Sequence, residues 1–152
     1  DWFREQSLGQ SNFSVFTQAL LHYSGNLLPI EEQFFVGSNT VGRGYRTGLI
    51  SANKGISGNF ELRYTHKPNK SKFVETIQPY VFFENVRVYE TRHTISQTSL
   101  SSWGGGVRTY SPWGIRVDGE VAQPFTKEVT VGGVLVSNPI KVSFLVSKEI
   151  TL

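Results

Sequence analysis

The sequence predicts an all-β fold, an antiparallel sheet of the transmembrane β-barrel type, and three observations carry that reading. Alternation of apolar and polar residues with period two recurs along the chain, while helical periodicity is nearly absent. Most alternating segments run to ~10 residues or more, past the ~5–6 of a soluble strand and close to the ~9–11 of a membrane-crossing one. Aromatic residues make up 13% of the chain and charged residues only 18%, against roughly 25% charged in soluble domains.

Taken in order, residues 12–24 (NFSVFTQALLHYS) read as a first strand and 59–65 (NFELRYT) as a second. In the second, Phe60, Leu62 and Tyr64 alternate with Glu61 and Arg63. Residues 73–89 (FVETIQPYVFFENVRVY) and 99–110 (SLSSWGGGVRTY) follow with less regular alternation. In 113–125 (WGIRVDGEVAQPF), Trp113, Ile115, Val117, Val121 and Phe125 share one face, with Arg116, Asp118, Glu120 and Ala122 on the other. From Ile140 to Leu152, Val142, Phe144 and Val146 alternate with Lys141, Ser143 and Ser147, and Lys148 is the one charge on the apolar side. The expectation is thus about six long strands, each with a lipid-type face and a polar face.

The connections alternate in length. Residues 67–72 and 111–114 are short turns rich in Pro, Asn and Gly. Residues 91–97 and 126–139 are longer, and 24–57 is the longest. Outer-membrane barrels place short turns on one side of the membrane and long loops on the other. A soluble β-sandwich binding module shares some of this pattern and stands as the alternative from a different class.

Composition and motifs narrow the chemistry. The 152-residue chain has no Cys and no Met, so neither a disulfide nor a thiolate site exists. Its net charge of +3 comes from scattered Lys and Arg rather than from one basic face, and no nucleic-acid partner is expected. Aromatic and basic residues do interleave, as at Arg63, Tyr64, Trp103 and Arg108, but a barrel's aromatic girdle explains this equally well. No run reaches the ~18 apolar residues of a transmembrane helix. Residues 1–10 lack the basic and apolar regions of a signal peptide, and the absence of an initiator Met fits a portion of a longer protein.

Residues 41–48, VGRGYRTG, hold the densest cluster of unusual residues. They give G-x-G but not the full dinucleotide fingerprint, and no helix follows to receive a phosphate. His22, His66 and His93 lie apart without ligand spacing, and no nucleophile elbow is present. No catalytic residue, metal or cofactor is therefore expected.

The stretch from Phe13 to Arg63 resembles the C-terminal barrel region of the two-partner secretion transporters, the haemolysin secretion and activation type within the Omp85 superfamily. Leu28, Glu32, Phe34, Gly37, the block Val41 to Tyr45 and Glu61-Leu62-Arg63 carry the likeness. QPYVFFEN (78–85) and GIRVDGEVAQPF (114–125) extend it in the same order. Departures are Gly42, which interrupts the V-R-G-Y type motif, Glu84 where the family has aspartate, and Leu152 in place of a terminal Phe.

The resemblance implies that residues 1–152 are the C-terminal portion of an outer-membrane barrel of about 16 strands, wide enough for an aqueous channel. It implies a loop, 24–57, folded into the lumen through Val41, Gly42, Gly44 and Tyr45, with Arg43 paired to Glu84 on the wall. Strand parity allows that pair, because Gln78, Tyr80, Phe82 and Glu84 share the face opposite Ile77, Val81 and Phe83. Glu61, Arg63, Arg116, Asp118 and Glu120 would also face the lumen. The implied activity is export of a large secreted exoprotein, an adhesin or cytolysin, across the bacterial outer membrane without ATP. Implied partners are that exoprotein, outer-membrane lipid, and the remaining N-terminal strands and periplasmic domains. An Omp85-type factor that assembles other barrels is the alternative within the superfamily.

Overall fold

The computed structural model describes residues 1–69, 72–89 and 98–148. The expected loop 91–97, with His93, the tip of the turn 67–72 and the chain end from Glu149 to Leu152 lie outside the described residues. In chain order the strands are β1 (Trp2–Ser7), β2 (Phe13–Tyr23), β3 (Phe34–Val36), β4 (Ile50–Ala52), β5 (Lys54–Tyr64) and β6 (Thr76–Tyr89). They continue with β7 (Thr98–Tyr110), β8 (Ile115–Pro124), β9 (Glu128–Val131), β10 (Val134–Ser137) and β11 (Lys141–Lys148). One short 3-10 turn, Ile30–Glu32, precedes β3. No helix among the described residues is long and apolar enough to cross a membrane.

Seven strands form one antiparallel sheet in the order β1-β2-β5-β6-β7-β8-β11, open at its two edges. The five between β1 and β11 run 10 to 14 residues. Apart from the long excursions, each strand pairs with the next in sequence, as short turns between antiparallel strands dictate.

Three sequence expectations change. β1 is an additional strand: WFREQS carries no clear apolar alternation, and its pairing with β2, Trp2 opposite Ala19 through Ser7 opposite Ser14, is what defines it. β5 begins at Lys54 instead of near Asn59, because Lys54–Gly58 continues the ladder with β2 up to Tyr23. Gly55, Ser57 and Asn59 give that half-strand an inner face of small and polar side chains, which hides its period. The longest loop accordingly ends at Asn53 rather than Ser57. Finally, 126–139 is no featureless loop but a hairpin, β9 against β10, turned by Gly132 and Gly133 at φ 57° and 81°. Two successive positive-φ residues suit the tight turns that match strand twist.

The two sheet faces differ in kind. One bears exposed Phe60, Val81, Phe83, Trp103, Val121 and Phe144. Nothing in the described residues covers it. The opposite face is buried beneath the excursion between β2 and β5. There Phe34, Val36, Val41, Tyr45, Leu49 and Ala52 of the excursion pack on Val86, Val88 and Leu100 of the sheet, and Val129 of β9 closes the cluster.

Candidate functional site

The excursion from Ser24 to Asn53 is shaped locally before it touches the sheet. β3 pairs with β4 to form its stem. Beyond the stem, the N–H groups of Gly37 and Ser38 donate to the Val41 carbonyl at 2.9 and 2.8 Å, and Ser38 Oγ accepts the N–H of Val41 at 2.9 Å. The Tyr45 N–H donates to the Gly42 carbonyl at 2.9 Å, closing a turn with Arg43 and Gly44 at its centre. Gly42 has φ 70°, and a Cβ there would lie 2.5 Å from Val36 Cγ1. The glycine that interrupts the expected motif is thus a bend that only glycine makes without strain.

Gly44 serves a different purpose, close approach. A Cβ on it would meet Ser102 Cβ at 2.6 Å and the Pro124 backbone nitrogen at 3.0 Å. The tip of the turn therefore rests directly on β7 and β8. Its Gly44 N–H donates to Ser102 Oγ at 3.2 Å, and the Ser102 hydroxyl donates onward to Glu84 Oε1. Glu84 Oε1 also accepts the backbone N–H of Arg43.

Arg43 is 4% exposed and points along the inner wall. Its Nη1 donates to Glu61 Oε1 at 2.8 Å and Glu120 Oε2 at 2.9 Å, and its Nη2 to Asn59 Oδ1 at 2.8 Å. The contact with Glu84 Oε2, from Nε, is longer at 3.8 Å. The expected guanidinium–Glu84 pair is thus not the close one, because register sets the reach. Glu84 stands level with Asn59 and Ser102, where the turn's backbone sits, and Glu61 is level with Phe82, two residues along β6. The arginine side chain extends over Phe82, with Cζ 3.5 Å from the ring centroid, to reach the deeper carboxylates. Glu84 holds backbone; Glu61 and Glu120 hold charge.

These carboxylates belong to a wider network on β5 to β8. Glu61 Oε2 meets Arg63 at 2.7 Å and Arg108 at 3.0 Å, and Arg108 Nε meets Asp118 Oδ2 at 2.9 Å. Arg116 also pairs with Asp118 at 3.0 Å, and the Tyr80 hydroxyl lies 3.0 and 2.8 Å from Asp118 Oδ1 and Glu120 Oε2, with its one proton shared between them. On this face Arg63, Arg108 and Arg116 contact Glu61 and Asp118, and Arg43 is the guanidinium that reaches Glu120 and, at 3.8 Å, Glu84. Lys141 shares this face, with its buried Nζ lacking a hydrogen-bond partner. A cleft of about 360 Å³ remains beside the network, bounded by Gln18, Asn39, Tyr110 and Ser143.

Several contributors were not singled out as site residues from the sequence. Tyr80 and Phe82 lie flat on the wall because Gly104 and Gly106 carry no side chains. A Cβ on Gly104 would meet Phe82 Cε1 at 2.8 Å, and one on Gly106 the Tyr80 hydroxyl at 2.6 Å. Each ring then carries a guanidinium, Arg43 on Phe82 and Arg108 on Tyr80. Three successive glycines inside a strand are the signal for such close approach. Asn59, Ser102 and Arg108 were reachable by parity alone. Tyr45, 0% exposed, donates its hydroxyl to the Ser101 carbonyl at 2.8 Å, and burial pushes its phenol up from the ordinary value. Among the described residues, no group of His, Asp and Glu has the arrangement of a metal site.

The site is thus an amphipathic antiparallel sheet, apolar on one face and charged on the other, with a long excursion pinned to the charged face by a buried arginine. The chain belongs to the Omp85 superfamily, whose domain it matches over residues 4–137. Members of this superfamily are generally outer-membrane or organellar β-barrel proteins with transport or assembly roles. No match was found among curated proteins or among solved structures.

Two substitutions test the anchor. Arg43→Ala leaves Glu61 and Glu120 buried with one cation fewer, and removing one partner of a buried pair costs about 3–5 kcal/mol. We expect a lower urea midpoint for the full-length protein; an unchanged midpoint would show that the network does not depend on Arg43. Gly44→Ala removes no charge but forces the turn off Ser102. It should expose the peptide bond after Arg43 to trypsin under native conditions, while a protected bond would mean that the tip is not seated as described.

Proposed function

We propose that this chain is the C-terminal portion of a bacterial outer-membrane translocator of the two-partner secretion type. It exports a large exoprotein without ATP. The observation that carries the reading is Arg43, delivered by a loop into a buried network on the inner wall of an amphipathic sheet. Such a loop occupies the lumen of a barrel and must be held, yet released when a polypeptide passes. In this reading the sheet edges at β1 and β11 continue into the remaining strands of a closed barrel of about 16 strands, and periplasmic domains that receive the exoprotein complete the transporter. The short turns face the periplasm and the long excursions the exterior.

Lipid is the partner that suits the outer face. A soluble sandwich would need a second sheet over Phe60, Val81, Phe83 and Trp103, and the described residues offer none. Phe13 against Tyr64 and Phe73 against Trp113 cluster at the short-turn end, and Tyr23 with Lys54 lies at the other, as interfacial girdles do. The charged inner wall, with both signs present and mutually paired, offers a passing chain little to stick to.

The export reading is tested with the full-length protein. In cells lacking the native gene, the wild type should restore release of the partner exoprotein, and Arg43→Ala should reduce it. A general loss of other folded outer-membrane proteins, with exoprotein release untouched, would instead identify an assembly factor. For the membrane face, Val81→Arg should cost about 2–4 kcal/mol of folding free energy in lipid vesicles. The same change made at Gln78, on the inner face, should cost far less. Equal costs at the two positions would sink the assignment of faces.

A further inference from the structure

The turn at 41–46 is gripped from two sides, and only one grip is the wall. Asn138, immediately after β10, is 1% exposed. A buried amide is costly unless its groups find partners, and this one is fully committed. Its own N–H donates to the Lys127 carbonyl at 2.6 Å, tying the base of the β9–β10 hairpin. Its Nδ2 donates to the Val136 carbonyl at 3.1 Å, fixing the side chain against its own hairpin. That leaves Oδ1, which accepts the backbone N–H of Arg46 at 3.3 Å.

Two further contacts join the same pair of loops. The Ser101 carbonyl accepts both the Tyr45 hydroxyl, at 2.8 Å, and the N–H of Phe125, at 3.0 Å, so the loops meet at one oxygen. Thr126 also lies within hydrogen-bonding reach of the Tyr45 phenol. Val129 of β9 is buried in the cluster that includes Val36, Val41 and Tyr45. The Arg46 side chain, by contrast, is exposed and holds nothing in this contact.

We infer that the segment 125–140 is a latch over the lumen loop, with Asn138 as the positioning residue that keeps the 41–46 turn seated on Arg43's network. This rests on the reading of the Ser24–Asn53 excursion as a lumen plug. Release of the plug then has two parts, parting of the Asn138 contact with lifting of the hairpin, and exchange of Arg43's carboxylates. Because the latch springs from the loop joining β8 to β11, its position reports the state of the chain's last strands to the plug.

Hydrogen exchange on the full-length protein in detergent tests the latch whether or not the protein exports anything. Asn138→Ala should speed exchange in the 41–49 segment on the order of tenfold, a contribution typical of one buried hydrogen bond and its partner. Exchange in β5 to β7 should stay unchanged. Heat-modifiable migration checks that each variant is folded, and Thr126→Val, which removes a separate inter-loop contact, should act in the same direction as Asn138→Ala if that variant does not fold. Wild-type exchange in Asn138→Ala, or acceleration spread through the whole sheet, would each overturn the inference. Faster exchange in 41–49 with unaltered export would keep the latch and overturn the plug reading instead.

Discussion

Two buried carboxylates that no arginine of their own sheet reaches, Glu84 and Glu120, organise this structure. Three strands, β5, β6 and β8, bring Glu61, Glu84, Asp118 and Glu120 to one face, and the arginines of that face pair with Glu61 and Asp118 alone. Buried carboxylates without partners are among the most unfavourable arrangements in a fold. The remaining cation arrives from a loop far off in sequence, and the bend at Gly42, the bare backbone at Gly44 and the flat rings of Phe82 and Tyr80 are all conditions for its arrival. Ionic attraction alone contributes little net free energy once desolvation is counted. Its effect here is positional, setting the turn over Glu61 and Glu120.

Division of labour along the sheet follows from this. Towards the long-loop end, contact between loop and wall is apolar, through Phe34, Val36 and Leu49 against Val86, Val88 and Leu100. One step towards the short-turn end, at the level of Phe82, it becomes ionic. Apolar contact is non-directional and supplies adhesion, whereas the guanidinium fixes depth and orientation through its planar fork.

Much of this was legible in the sequence, and the exceptions have physical causes. Period-two alternation located β8 and β11, where one face is mostly apolar, and β6 with less regularity. It missed β1 and the first half of β5, where Ile56 is the single apolar residue among Lys54, Gly55, Ser57 and Gly58 and the pairing partner supplies the strand. Arg43 and Glu84 were visible through the motif, and Glu61 and Glu120 through parity. Which carboxylate the arginine meets most closely was not legible, because that depends on the register between non-neighbouring strands. The hairpin β9–β10 and Asn138 escaped because a glycine pair inside a long connection reads equally as slack.

The internal bonding of the Ser24–Asn53 excursion carries one more consequence. Its stem ladder, the Ser38 contacts and the turn closed by Tyr45 on Gly42 are all satisfied within the excursion itself. A segment that keeps its own hydrogen bonds on leaving its seat loses only its outward contacts, so it travels as a rigid body rather than as a melted strand. Reseating such a body restores few backbone degrees of freedom to order, and its entropic penalty is that of docking rather than folding.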